Sequence, residues 1–160
     1  MVSITKMEVE LDIKSSAERF YQTCYSKHYL VNRISPDVAK DVQLLKGDWE
    51  SVGSIRLCTY VLPGNSFRQN DTLMVEATDE DEKSITYKVL DGEVLKYYKS
   101  FKFSVQVTGK CWPAGGAGGS LVKTTIECEK LKDDVPDPIK YAEFFEIVLK
   151  DIDTYLINNA

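Results

Sequence analysis

Residues 137–157 read DPIKYAEFFEIVLKDIDTYLI, the segment with the plainest period in the chain. Tyr141, Phe145, Val148, Ile152 and Tyr155 recur at four- and three-residue steps, the spacing of one face of an α-helix. Asp137 reads as the cap and Pro138 as the first helical residue, where a missing amide costs nothing. Glu143, Glu146, Lys150 and Asp153 line the opposite face, with Glu146 and Lys150 spaced to pair across one turn. At a rise of 1.5 Å per residue the helix is about 30 Å long, enough to cross a domain. A chain of 160 residues is expected to be one domain, spanning 1–160 without repeats, that buries roughly two-thirds of its unfolded surface.

Upstream, the period changes from helical to two. In Met1 to Ile13, Lys6, Glu8 and Glu10 alternate with Met7, Val9 and Leu11, which predicts a strand with one wet face. Ser15-Ser16-Ala17-Glu18 fits a capping box between Ser15 and Glu18, and Ala17, Phe20, Tyr21 and Cys24 continue it as a short amphipathic helix. A second short helical piece, Tyr29 to Ile34, ends before Ser35-Pro36-Asp37. From Val38 to Lys130 the chain alternates apolar runs with turns. The runs are Val42 to Leu45, Ile55 to Leu62, Leu73 to Ala77, Ile85 to Leu90, Phe101 to Val107 and Val122 to Cys128. Gly115 to Gly119 reads as a hairpin loop between the last two. The fold class is therefore α+β, a seven-stranded antiparallel sheet with a long C-terminal helix.

Composition removes several functions. The net charge is −5 and the basic residues are scattered, so no stripe awaits a nucleic acid or an anionic membrane surface. No apolar run approaches the ~20 residues of a membrane helix, and the N-terminus lacks a signal peptide's apolar block. The expected location is the cytoplasm. There Cys24, Cys58, Cys111 and Cys128, with one histidine and no C-x-x-C spacing, read as reduced thiols rather than disulfides or metal ligands. The sequon Asn70-Asp71-Thr72 would go unused in that compartment. No cofactor is expected, and the chain reads as a monomer or weak dimer.

A seven-stranded sheet must curve, and one helix rarely fills its concave side. The gap is either an aromatic-lined ligand pocket, or it is closed where Tyr87, Phe101, Phe103 and Phe145 meet.

The order of strand, two short helices, six strands and long helix resembles the birch-pollen-allergen superfamily, which includes pathogenesis-related class 10 proteins. Several stretches are similar to its major latex protein branch: Lys46-Gly47-Asp48-Trp49-Glu50-Ser51-Val52-Gly53-Ser54-Ile55, Leu90-Asp91-Gly92-Glu93-Val94-Leu95-Lys96-Tyr97-Tyr98-Lys99-Ser100-Phe101, Ile126-Glu127-Cys128-Glu129-Lys130-Leu131 and Lys150-Asp151-Ile152-Asp153. The similarity runs over the whole chain. It departs from that branch after the first helix, where a pair of histidines is common but His28 precedes Tyr29-Leu30 here, and in a lengthened Gly115 to Gly119 hairpin. The resemblance implies a helix-grip fold around an apolar cavity. Members bind steroids, flavonoids, cytokinins and other apolar or amphipathic molecules. A minority are cofactor-free cyclases or isomerases on alkaloid or monoterpenoid intermediates, and ribonuclease activity has been attributed to the superfamily.

Alternation alone turns Ile55 and Leu57 inward, whereas the resemblance turns the face of Arg56, Cys58 and Tyr60 toward the cavity. Tyr87, Tyr97, Phe101, Phe103, Tyr141, Phe145 and Val148 complete the ligand-binding set. Tyr60, Tyr87, Arg56 and Lys123 are the catalytic candidates. Lys123 stands where a related alkaloid-forming enzyme has its catalytic lysine, yet shares strand parity with Glu127 and Glu129, the pattern of a wet face. Lys46 to Gly53 is a structural turn rather than a phosphate cradle, because it leads into a strand and carries two acidic residues. His28, the sole imidazole, is expected at the helix corner in a surface or entrance role, and one histidine excludes a two-histidine ribonuclease.

Overall fold

The computed structural model describes residues 4–110 and 119–159. Seven strands form where the sequence alternates: β1 (Ile4–Ile13), β2 (Ala39–Lys46), β3 (Ile55–Tyr60), β4 (Gln69–Asp79), β5 (Ser84–Gly92), β6 (Tyr98–Gly109) and β7 (Ser120–Lys130). They make one antiparallel sheet in the order β1-β7-β6-β5-β4-β3-β2, so the first two strands of the chain lie on opposite edges. The link between them carries α1 (Ala17–Cys24), a 3-10 turn at His28–Leu30 and α2 (Val31–Ile34). The long helix α3 (Ile139–Asn158) packs against α1, α2 and β1. Cys111 and most of the Gly115 to Gly119 hairpin lie outside the described residues. No helix among the described residues is long and apolar enough to cross a membrane.

Curvature comes from bulges. Five register shifts interrupt the β2–β3, β4–β5 and β6–β7 ladders, and each adds local bend and twist. One of them, between Tyr98 and Ser100, changes the parity of β6, so Tyr98 and Phe101 are both buried. Another leaves Leu90, already of outward parity, without a partner in the ladder, and it is exposed. A 3-10 turn at Glu93–Lys96, which the turn signal at Asp91-Gly92 does not foretell, buries Val94 completely.

Two helix caps differ from their sequence reading, for the same reason. Ser16, not Ser15, caps α1, its hydroxyl oxygen accepting from the Arg19 amide at 3.3 Å. The buried Ser15 is taken by α3 instead: its amide, 2.9 Å away, and its hydroxyl both donate to Asp153. Asp137 makes no side-chain cap, because its carboxylate pairs with Lys130 at 2.7 Å, and α3 begins one residue later than expected. The Glu146–Lys150 pair forms as spaced, at 2.9 Å. Ser35 donates to Asp151 at 2.6 Å, so Asp151 and Asp153 hold α3 against both segments that flank it.

Gly92 combines a positive φ with a close approach. Its φ is 134°, and a Cβ there would overlap the Asp71 carboxylate and the Asn70 carbonyl. Gly53, at φ 89°, has nothing within 4 Å of the same atom. Gly92→Ala is expected to cost about 3 kcal/mol or more in urea unfolding and Gly53→Ala about 1 kcal/mol, strain alone accounting for the second. Equal losses would show that the Asp71 contact carries no weight.

Candidate functional site

Between the inner face of the sheet and α3 lies a cavity of about 880 Å³, counting the part open to solvent. Its wall is mostly apolar: Leu73, Val89, Phe101, Phe103 and Val105 from the sheet face Phe144, Phe145, Val148 and Ile152 of α3. Phe103 and Phe145 do meet, with ring centres 4.5 Å apart, and Tyr87 stacks on Phe103 at 5.3 Å. These rings form part of the wall and leave the rest of the gap open. The lining is that of a small-molecule pocket.

β3 settles which face is inward. Arg56 is 0% exposed, Tyr60 is buried, and Cys58 and Tyr60 line the cavity. Arg56 itself lies behind the wall and is held by four segments. Its Nη1 donates to the Tyr25 carbonyl at 2.9 Å and to the Tyr87 hydroxyl at 2.9 Å, and contacts His28 Nδ1 at 3.1 Å. Its Nη2 donates to the Trp49 carbonyl at 2.8 Å. The guanidinium also lies 4.9 to 5.7 Å from the ring centres of Trp49, Tyr87 and Tyr25. A buried cation needs such compensation, because burial alone would cost several kcal/mol. Tyr87 passes the polarity on, donating to the Cys24 carbonyl at 2.7 Å. The last turn of α1 has no basic residue of its own, so Arg56 supplies from β3 the positive charge that its free carbonyls favour.

The Arg56 contact fixes the tautomer of His28. A guanidinium only donates, so Nδ1 turns its lone pair toward a nitrogen whose two hydrogens are shared with the Tyr25 carbonyl and the Tyr87 hydroxyl, and Nε2 carries the proton. Burial first, and the Arg56 charge second, lower the His28 pKa to about 3. The imidazole lines the cavity, and its Nε2–H has no partner among the described residues. His28 thus stands at the helix corner, as expected, half-buried and with its ring on the cavity wall.

A second polar group closes the other end of β3. Tyr60 donates its hydroxyl proton to Asp71, which is 5% exposed and also accepts from the Val94 amide at 3.3 Å. Gln69 Nε2 donates to the Tyr141 hydroxyl at 3.3 Å, and Tyr60 and Tyr141 pack edge to face. Burial raises the Asp71 pKa, although the bonds from Tyr60 and Val94 work against it. Burial and the neighbouring carboxylate raise that of Tyr60. Sequence reading missed Asp71, which stood out only within a sequon. Its inward parity with Leu73 and Val75 is the signal that would have found it.

Two candidates stand apart from the cavity. Tyr97 is 54% exposed, because the 3-10 turn before it directs Val94 inward. Lys123 lies on the outer face of β7, 3.6 Å from Glu8. Cys24 and Cys58 line the cavity, and burial pushes both thiols up to about 12, so neither is a thiolate at neutral pH. Among the described residues no group of three His, Cys, Asp or Glu side chains is placed to hold a metal.

Replacing Arg56 by Met strands two carbonyls, a hydroxyl and an imidazole nitrogen, and is expected to cost about 3–5 kcal/mol in urea unfolding. Lysine, with its point charge, should recover less than half of that. The His28 shift has a definite sign. The unfolded imidazole, near pH 6.5, takes up a proton that the folded one refuses until about pH 3. Its contribution is whole above about pH 6.5 and is lost as pH falls through that window, at up to about 1.4 kcal/mol per pH unit. His28→Phe should therefore lose less stability than wild type between pH ~7 and ~4.5. Parallel losses would mean that His28 titrates normally.

The sequence profile of the Pathogenesis-related protein Bet v 1 family matches residues 2–159. MLP-like protein 423 of Arabidopsis thaliana is 36% identical over 154 residues, covering 96% of this chain and 95% of that protein. MLP-like protein 43 of the same plant is 34% identical over 96% of this chain and 94% of its own length. The crystal structure of ginseng major latex-like protein 151 from Panax ginseng superposes with a TM-score of 0.85 at 30% identity, covering 95% of this chain and 97% of that one. Norcoclaurine synthase from Thalictrum flavum shares the fold, with a TM-score of 0.78 at 14% identity over 99% of this chain and 90% of that one. With a helix-gripping sheet, a cavity beneath the helix and a profile match over nearly its whole length, this chain belongs to the Bet v 1 family.

Proposed function

We propose that this protein binds an apolar or amphipathic small molecule, a plant metabolite of steroid or hormone-like character, in the cavity beneath α3. The observation that carries the reading is a wall of aliphatic and aromatic side chains interrupted by only a few polar atoms. Affinity would come from apolar contact at roughly 25 cal/mol per Å² buried, with His28, Tyr60, Tyr87 and Tyr141 setting orientation. Phe101, Phe103, Phe145, Val148 and Cys58 would supply the surface. A role in defence or specialised metabolism, in the cytoplasm, fits such a carrier.

One observation favours a second reading, a cofactor-free cyclase or isomerase acting on an alkaloid or monoterpenoid. Tyr60 bonded to the buried Asp71 is a pair able to take a proton from a carbon beside a carbonyl and return it elsewhere. Lys123, on the outer face, has no part in it.

Nile red fluorescence should rise saturably at one dye per protein. Val148→Trp, which fills the cavity, should weaken that binding by at least about tenfold while the protein stays folded. Undiminished binding by that variant would remove the cavity from the reading. The enzyme reading expects solvent deuterium to enter an enolisable ketone bound to wild type, with the rate lost in Asp71→Asn. Exchange at the uncatalysed rate in wild type would end it.

A further inference from the structure

The polar atoms of the cavity are not scattered. Besides Thr23, they are His28 and Tyr87 toward one end of β3 and Asp41, Thr59, Tyr60, Asp71 and Tyr141 toward the other, and the two ends offer different hydrogen-bonding chemistry. Arg56 and Tyr60, four residues apart on the inner face, are separated by about 13 Å at the rise of a strand. Cys58 stands between them, and the walls between the two groups are apolar.

At the first end two N–H protons lack a protein acceptor, and only that of His28 lies on the cavity wall. Arg56 spends both terminal nitrogens on protein acceptors, and its Nε faces no acceptor at all. The Tyr87 hydroxyl donates to Cys24 and receives from Arg56. The His28 Nε2–H remains as a donor on the wall, and no carboxylate among the described residues pairs with the guanidinium behind it. This end favours an oxygen that only accepts. At the second end Asp71 brings acceptor capacity that Tyr60 and the Val94 amide do not exhaust, since two carboxylate oxygens hold about four lone-pair sites. The Tyr141 hydroxyl beside it receives from Gln69 and interacts with the Tyr60 hydroxyl. This end favours a group that donates to the carboxylate, which is a hydroxyl.

From this polarity we infer that the cavity selects a rigid ring skeleton, on the order of 10 Å long, with a carbonyl oxygen at the His28 end and a hydroxyl at the Asp71 end. The inference rests on the carrier reading and sharpens it, turning a general apolar pocket into one with a direction. An apolar molecule with no polar ends leaves the His28 donor and the Asp71 lone pairs dry, which opposes its entry. A molecule inserted the wrong way round sets a carbonyl against a carboxylate.

Displacement of Nile red by steroid probes tests the inference. Dehydroepiandrosterone carries a hydroxyl at one end and a ketone at the other, androstenedione a ketone at each, and androstane neither. Asp71→Asn should weaken dehydroepiandrosterone about tenfold, the loss of one charge-assisted hydrogen bond, strengthen androstenedione, whose second ketone no longer meets a carboxylate, and leave androstane within about twofold. His28→Phe should weaken both ketones about tenfold and strengthen androstane, which no longer leaves a donor dry. Equal weakening of all three probes by either variant overturns the inference. A measurement on wild type needs no variant to fold: methylating the hydroxyl of dehydroepiandrosterone should cost about tenfold, and an unchanged affinity overturns the inference too. Should no steroid displace a dye that binds saturably, the direction is lost and the carrier reading survives. Should the dye itself fail to bind, both are lost.

Discussion

A buried guanidinium must be surrounded, and the way Arg56 is surrounded organises the rest of the molecule. Its partners come from the end of α1, the turn that follows, the loop before β3, and β5. None of these segments is adjacent to another in sequence except the first two. Each partner is weak for a full charge. Only when all arrive together is the desolvation of the cation offset, so the interaction acts as a test of correct assembly. The sheet, the helical corner and the loop of Trp49 are tied at one point, and the hydrophobic surface around that point closes one end of the cavity.

The cavity persists because its two covers are fixed independently of its contents. α3 is held by Asp151 and Asp153, which take hydrogen bonds from Ser35 and from Lys14 and Ser15. The sheet is held open by its bulges. Neither cover can relax toward the other without giving up bonds to buried or half-buried polar groups. Apolar collapse, worth roughly 25 cal/mol per Å², would otherwise favour filling the space. Polar anchoring at the rims of the cavity is therefore what preserves an apolar interior.

Period was enough to read the elements, since a strand or helix half in water must alternate. It located all seven strands and α3 from residues such as Met7, Val9 and Leu11 or Tyr141, Val148 and Ile152. What it could not give was the handedness of burial where the outer face is the more apolar one. On β3, Ile55 and Leu57 face out while Arg56 goes in, because a site that offers acceptors and aromatic faces outweighs transfer preference. The resemblance to known proteins, not hydropathy, pointed that way. Capping was misread by one residue at both helices, since Ser15 and Asp137 have distant partners, Asp153 and Lys130, that no local pattern contains. Tyr97 and Tyr98 are indistinguishable in sequence. The bulge beside them and the turn before them decide that Tyr98 is inside.

The same reasoning explains why His28 reads as ordinary in sequence and not in the structure. An imidazole near neutral pH is usually a switch, since small changes of environment move its charge across the physiological range. Here Arg56 removes that freedom. It takes the lone pair of Nδ1, leaving a ring that stays neutral until about pH 3 and always presents its proton at Nε2. A residue capable of both donating and accepting has been reduced to a fixed donor, and what reduced it is the interaction that assembles the fold. Stability and recognition at this end of the cavity are thus two consequences of one buried charge.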